Sequence, residues 1–195
     1  MTKLTMDGLL TLEAYAKTRD KVRAEVMAHK KNRNVMLGEH VTLIFEDEMT
    51  IRYQVQEMLR AEKIFEEAGI QDELDAYNPL IPDGSNWKAT MMIEYEDIDE
   101  RRRMLGRLLG IEYRVWVQVD GFDRVFAIAD EDLERATEEK TSAVHFLRFQ
   151  LTADMSRALR QGTRLSMGID HPAYRFILDP VSTAVRESLL HDLQE

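Results

Sequence analysis

Leu9, Leu12, Ala16, Val22, Val26 and Met27 recur near the spacing of one helical face, which predicts a helix over about residues 6–31 with Thr5 or Asp7 available as its cap. The period then changes. In "HVTLIFE" (40–46), Val41, Leu43 and Phe45 alternate with Thr42 and Ile44, the pattern of a short strand. A second helix is expected over 48–68, ending where Gly69 can take a left-handed conformation. Residues 70–77 read as a short helical turn, and "NPLIPDGSN" reads as a loop because Pro79 and Pro82 bias their predecessors away from helix.

Beyond that loop the pattern favours strands. Trp87, Ala89, Met91, Ile93 and Tyr95 take every second position of "WKATMMIEYE" and predict a strand with one buried face. "DIDERRRMLGRLLG" places Asp97 as a helix cap with Glu100 three residues on, and ends at Gly110. "EYRVWVQVDGFDRVFAIA" sets two β-branched and aromatic runs around Asp120-Gly121 and predicts a hairpin. "TSAVHFLRFQL" (141–151) is apolar on both faces, as in a strand inside a covered sheet. "TADMSRALRQG" has Thr152 as cap and Gly162 as stop, "RLSMGID" aligns Leu165, Met167 and Ile169, and Asp179-Pro180 stands where a final helix begins. With about five helices, about six strands and no regular strand–helix alternation, the expected class is α+β with a mainly antiparallel sheet. One domain over 1–195 is expected, helix-rich over 1–78 and strand-rich over 87–195, joined by the 79–86 loop.

Composition narrows the function. There is no cysteine, so thiolate nucleophiles, Cys-type zinc sites and cysteine-held iron–sulfur clusters are excluded from this chain. The apolar runs fall far short of the roughly 20 residues that span a bilayer, and the N-terminus lacks a signal-peptide core, so a cytoplasmic location without membrane insertion is expected. A net charge of −10 opposes nucleic-acid binding. Residues 17–33 nevertheless carry seven Lys or Arg against Asp20 and Glu25, either a patch that steers an acidic partner or a solvated helix face. Dinucleotide-binding, Walker-type and His-Glu-x-x-His motifs are absent, and no cofactor follows from the residues.

The candidate chemistry centres on the 48–68 helix. With Ile51 at zero, Val55, Met58, Leu59, Ala61 and Phe65 project between about 280° and about 80°, while Arg52, Gln56 and Arg60 line up near about 100° to 180°. Those two guanidiniums can grip an anion with Gln56 orienting it, or pair within the helix, Glu48 with Arg52 and Glu57 with Arg60. Glu62, at about 20°, falls inside the apolar stripe; it is either paired there or exposed by the end of the helix. On the 141–151 strand, His145 and Arg148 each place a polar group on an apolar face. His145 is a satisfied core histidine or an acid–base group. Asp170-His171-Pro172 is half a metal site or a turn; His29 lies in the basic run, and His40 and His191 read as surface residues.

Several segments together resemble a known family: "HKKNR", "LIFEDEMTIRYQVQEMLRAEKIFE", "IQDELDAYNPLIPDG", "VWVQVDG", "IADEDLER", "EEKTSAVHFLRF" and "GIDHPAY" are similar to the bacterial domain of unknown function 3501, in order and over nearly the whole chain. The resemblance implies a single-domain bacterial protein whose genes are often found beside those for rubrerythrin-like proteins and iron–sulfur oxidoreductases; it supplies no catalytic residues. Two readings follow. One is an accessory or interaction protein serving a redox system with those partners. The other is an enzyme or binder of a small anionic ligand, with a pocket of Arg52, Gln56, Arg60, Glu62, His145 and Arg148 where the 48–68 helix meets the 141–151 strand.

Overall fold

The structure, a computed structural model, describes residues 3–129, 131 and 140–194. Most of "IADEDLER" and the start of "EEKTSAVHFLRF" therefore lie outside the described residues. A 3-10 turn at Met6–Gly8 leads into α1 (Leu12–Lys30), β1 (Asn34–Met36), β2 (Val41–Glu46), α2 (Glu48–Glu62) and α3 (Glu67–Tyr77). A 3-10 turn at Asn78–Leu80 precedes β3 (Asn86–Ile93) and α4 (Ile98–Arg107). Another, Ile111–Arg114, precedes β4 (Val115–Val119), β5 (Val125–Phe126) and β6 (Ile128–Ala129). β7 (Val144–Gln150), α5 (Ala153–Arg160), β8 (Leu165–His171), β9 (Tyr174–Leu178) and α6 (Thr183–Leu190) complete the described chain.

The strands form two antiparallel sheets, ordered β1-β2-β3-β7-β6 and β5-β4-β8-β9, so the fold is α+β. Alternation places the inward faces: Trp87, Ala89, Met91 and Ile93 of β3 and Leu147 and Phe149 of β7 join Val115, Val117 and Val119 of β4 and Leu165, Met167 and Ile169 of β8 in one hydrophobic cluster. Phe45 from the first part of the chain and Leu189 from α6 enter the same cluster. A smaller one forms where Ile51, Val55 and Leu59 of α2 meet Leu74 of α3, Leu4 and Ile81.

Among the described residues, six α-helices and nine strands replace the expected five and six, in two sheets rather than one. The extra helix is α3, longer than the turn expected at 70–77. The extra strands have tertiary causes. β5 pairs with β4, as the hairpin pattern predicts, but after Phe126 the chain crosses to the larger sheet, where Ile128 and Ala129 pair with Arg148 and Leu147. β9 is held by five cross-strand positions on β8. β7 is buried on one face and half-buried on the other, so its two apolar faces are not equally covered.

Helix limits also differ from expectation: α4 ends at Arg107 with Leu108 as its C-cap, and Gly110 instead precedes the Ile111–Arg114 turn. α1 begins at Leu12 with Thr11 as cap, its hydroxyl oxygen accepting from the Ala14 N–H at 3.3 Å. The Leu10 peptide is taken instead by Gln56, whose Oε1 accepts the Leu10 N–H at 2.7 Å and whose amide donates to the Leu10 carbonyl at 3.2 Å. α2 stops at Lys63, in the left-handed region at φ 57°, with the Ile64 N–H donating back to the Leu59 carbonyl at 2.9 Å. Ile64 then packs on the smaller cluster, and Gly69 lies inside α3, where a Cβ would come within 2.8 Å of the Ile64 side chain. The glycine serves close packing, not termination. α6 is capped by Ser182, whose hydroxyl accepts the Val185 N–H at 3.3 Å, while Asp179 faces Arg164 at 3.4 Å. Asp97, Thr152 and Gly162 occupy their expected capping and stopping positions.

Gly168 of β8 admits Trp116 directly over the strand: a Cβ there would lie 2.4 Å from the indole and 2.5 Å from the Phe176 carbonyl oxygen. Since one of those atoms is backbone, relief requires moving β9. We expect Gly168→Ala to destabilise the fold by about 1–3 kcal/mol, seen as a lower urea midpoint, and an unchanged midpoint would refute this packing.

Candidate functional site

The residues singled out on α2 separate once the helix is docked. Arg52 and Arg60 are exposed and pair within the helix, Arg52 with Glu48 and Arg60 Nε with Glu57 Oε1 at 3.7 Å. Gln56 turns inward, almost fully buried, and spends both ends of its amide on the Leu10 peptide. Glu62 is exposed. Its place in the apolar stripe has no consequence, because α2 ends there and the buried face closes at Leu59. On β7, His145 is fully enclosed, while Arg148 forms a two-toothed pair with Glu131 at 2.7 Å for each bond.

These positions do not share one cavity among the described residues. Arg52 and Gln56 line a hollow of about 280 Å³ between α1 and α2. Arg148 lines a separate one of about 50 Å³ with Glu46, Lys88 and Glu131. His145 lies beside Glu112 and Thr141. The Thr141 hydroxyl donates to Glu112 at 3.1 Å, and the His145 Nε2 lies 2.8 Å from that hydroxyl and 3.1 Å from the Ser142 carbonyl. A carbonyl can only accept, so Nε2 carries the hydrogen and donates. The arrangement makes His145 the polar keystone of the strand's entry into the core. His171 is similarly occupied, its ring nitrogens meeting the Leu109 carbonyl and the Ala173 N–H, while Asp170 points to Arg175 and Arg124. Asp170 and His171 therefore end β8, paired with Arg175 and Tyr174 just before the turn at Pro172 and Ala173, and their acid and imidazole diverge.

Two polar clusters escaped the sequence reading. In the first, Glu57 joins α1 to α2. Its carboxylate accepts the Tyr15 hydroxyl at 2.6 Å and Arg19 Nε and Nη2 at 2.7 and 2.8 Å. The Arg19 bonds hold the Glu57 carboxyl down to about 2, against burial and with help from Tyr15, while burial and the Glu57 bond push the Tyr15 phenol up. The available signal was Tyr15 and Arg19, one helical turn apart on α1. In the second cluster, Arg33 is buried, donating to Asp192 at 2.5 Å and to the Phe45 and Glu46 carbonyls, while Asp47 Oδ2 lies 3.5 Å from Arg33 and 2.5 Å from His29 Nε2. Burial pushes the Asp192 carboxyl up to about 6, opposed by the Arg33 charge. Of the seven basic residues in 17–33, Lys17, Arg19, Lys21 and Arg33 are thus in ion pairs. Four of the seven basic residues of the run therefore meet a carboxylate within the fold, two of them, Lys17 and Lys21, at exposed positions.

A family model described as "Protein of unknown function (DUF3501)" matches residues 3–193. The chain is similar to a protein of unknown function from Burkholderia pseudomallei K96243, known from its crystal structure: 59% identical, TM-score 0.94, with 99% of this chain and 100% of that chain covered. No curated protein matches.

The two clusters make separate demands on stability. Truncating Arg33 to alanine leaves Asp192 and Asp47 without their shared cation in a buried place. We expect a loss of about 3–5 kcal/mol in chemical denaturation at neutral pH. For Glu57 the folded carboxyl lies below its unfolded value, so its stabilisation is present above the ordinary carboxylate range and fades as the pH falls toward 2. Glu57→Gln should therefore cost about 1–3 kcal/mol at pH 7 and progressively less below about pH 4. An equal cost at pH 7 and pH 2.5 in parallel melts would contradict the assignment.

Proposed function

The chain belongs to the DUF3501 family of proteins of unknown function, and from that premise we propose that it is a cytoplasmic accessory or interaction protein serving a redox system, with rubrerythrin-like and iron–sulfur oxidoreductase proteins as its partners. With no cysteine, this chain has no thiolate to hold an iron–sulfur cluster, so such a centre belongs to the partner. Several of its buried polar and ionisable residues join helices and strands. Gln56, Glu57, Arg33 and His145 each fix one part of the chain to another.

The observation that carries this reading is a row across the outer face of the smaller sheet. Phe126 on β5 is opposite Trp116 on β4, Trp116 is opposite Gly168 on β8, and Gly168 is opposite Ile177 on β9. Directly opposed residues of an antiparallel pair share a face, and Val115, Val117 and Val119 occupy the inner one. Trp116 itself is only 1% exposed: the Arg124 guanidinium covers it at 4.0 Å from its ring, and its indole N–H has no acceptor among the described residues. Phe126 and Ile177 remain 42% and 60% exposed at the two ends. Two exposed apolar groups, Phe126 and Ile177, with the Arg124 guanidinium over the buried indole between them, suit a protein partner with a matching apolar and acidic face.

Gentle co-purification from the native host should recover a rubrerythrin-like or iron–sulfur protein, with Ile177→Glu lowering recovery about tenfold, equivalent to about 1.4 kcal/mol of binding. Recovery of neither class, or equal recovery by Ile177→Glu, would overturn the proposal.

A further inference from the structure

A cleft of about 450 Å³ lies between α5, the turn at residues 83–85 and the Leu193–Gln194 segment. Its volume falls within the roughly 300–1,000 Å³ of small-molecule sites. The cleft has an apolar part and a charged part: Leu151 and Ala153 line it, and so do the guanidiniums of Arg157 and Arg160, one helical turn apart on α5.

Its walls are held in place. Arg160 Nη2 donates to the Leu193 carbonyl at 2.5 Å, and the Gln194 N–H donates to the Gly84 carbonyl at 2.7 Å, so the C-terminal segment is strapped to both other walls. Gly84 is at φ 102°, and a Cβ there would lie 2.5 Å from the Gln194 side chain; the glycine lets the two segments touch. Asp83 is the one carboxylate among the described lining residues. Its Oδ1 accepts both the N–H and the hydroxyl of Ser85 at 2.8 Å, bonds that hold its carboxyl below the ordinary range against the effect of burial. Arg157 reaches Asp154 at 2.8 Å with one nitrogen, at an exposed position. Asp83 and Asp154 balance the two guanidiniums in charge, so what the cleft offers an anion is directed N–H donors rather than a net positive charge. Each guanidinium has five N–H donors in a planar fork, so the bonds to Leu193 and Asp154 leave donors for a carboxylate.

We propose that this cleft binds a small organic acid, its carboxylate between Arg157 and Arg160 and its short apolar body against Leu151 and Ala153. This site is separate from the sheet face proposed for partner docking and stands or falls without it. Leu151 is already buried and Ala153 is exposed, so an organic acid would cover Ala153 where a bare inorganic anion would not.

The test is a two-dimensional amide NMR titration of the full chain at constant ionic strength with sodium propionate, inorganic phosphate and propylammonium chloride. Propionate should give saturable shifts confined to residues 83–85, 153–160 and 194, and phosphate and propylammonium should not. Arg157→Gln and Arg160→Gln should weaken propionate binding at least tenfold, while Arg102→Gln on α4 leaves it unchanged. Arg160→Gln also removes the strap to Leu193, so Arg157→Gln, which does not touch that strap, keeps the test decisive if the other variant unfolds. Absence of saturation, an equal response to phosphate, or undiminished binding by Arg157→Gln overturns the proposal.

Discussion

A buried guanidinium organises this molecule. Arg33 follows α1 in a tight turn and is enclosed between the start of the larger sheet and the last helix. Its Nε donates to the Phe45 carbonyl at 2.9 Å, its Nη1 faces the Ser188 carbonyl at 3.3 Å, and its Nη2 meets the Glu46 carbonyl and the Asp192 carboxylate. Removing such a charge from water is tolerable only when its donors are satisfied and a counter-charge is close. Satisfying them brings together the end of β2, the beginning of α2 and the end of α6. Asp47, which also approaches Arg33, is the N-cap of α2 in a reciprocal box with Thr50, so the direction of α2 is set from the same place.

From that corner the rest of the packing follows. With α2 anchored at its N-terminus, Glu57 meets Tyr15 and Arg19, and Gln56 meets the Leu10 peptide, which aligns α1 along it. The two sheets share their core through inward valines, leucines and aromatics, and Glu112 with Thr141 receives His145 where the last strand of the larger sheet enters. Conspicuous polar residues therefore work as joints. The exposed ends of the smaller sheet at Phe126 and Ile177 and the cleft beside Arg157 lie apart from these joints.

Much of the architecture was readable along the chain. The alternation of Trp87 to Tyr95, the caps at Asp97 and Thr152, the stop at Gly162 and the hairpin around Gly121 each depend on residues a few positions apart. Candidate residues were less readable. A helical projection treats α2 as a straight cylinder of unlimited length, and so it placed Glu62 among apolar neighbours although the helix ends on it. It also placed Gln56 with Arg52 and Arg60 on one polar edge, when the docking of α1 turns Gln56 into the interior. Apolar periodicity carries no information about which peptide will approach from elsewhere.

The order of amino acids was enough to establish an α+β class, the caps at Asp97 and Thr152, the hairpin around Gly121, a cysteine-free chain and a strongly acidic balance, because these rest on local sterics, side-chain period and counting. Packing settled the rest: the division into two sheets, the left-handed end of α2 at Lys63, and the meetings of Arg19 with Glu57 and of Arg33 with Asp192, 38 and 159 positions apart. Such partners are chosen by the fit of whole elements around a shared core and by the need to satisfy every buried charge, and neither condition is visible within a short window of residues.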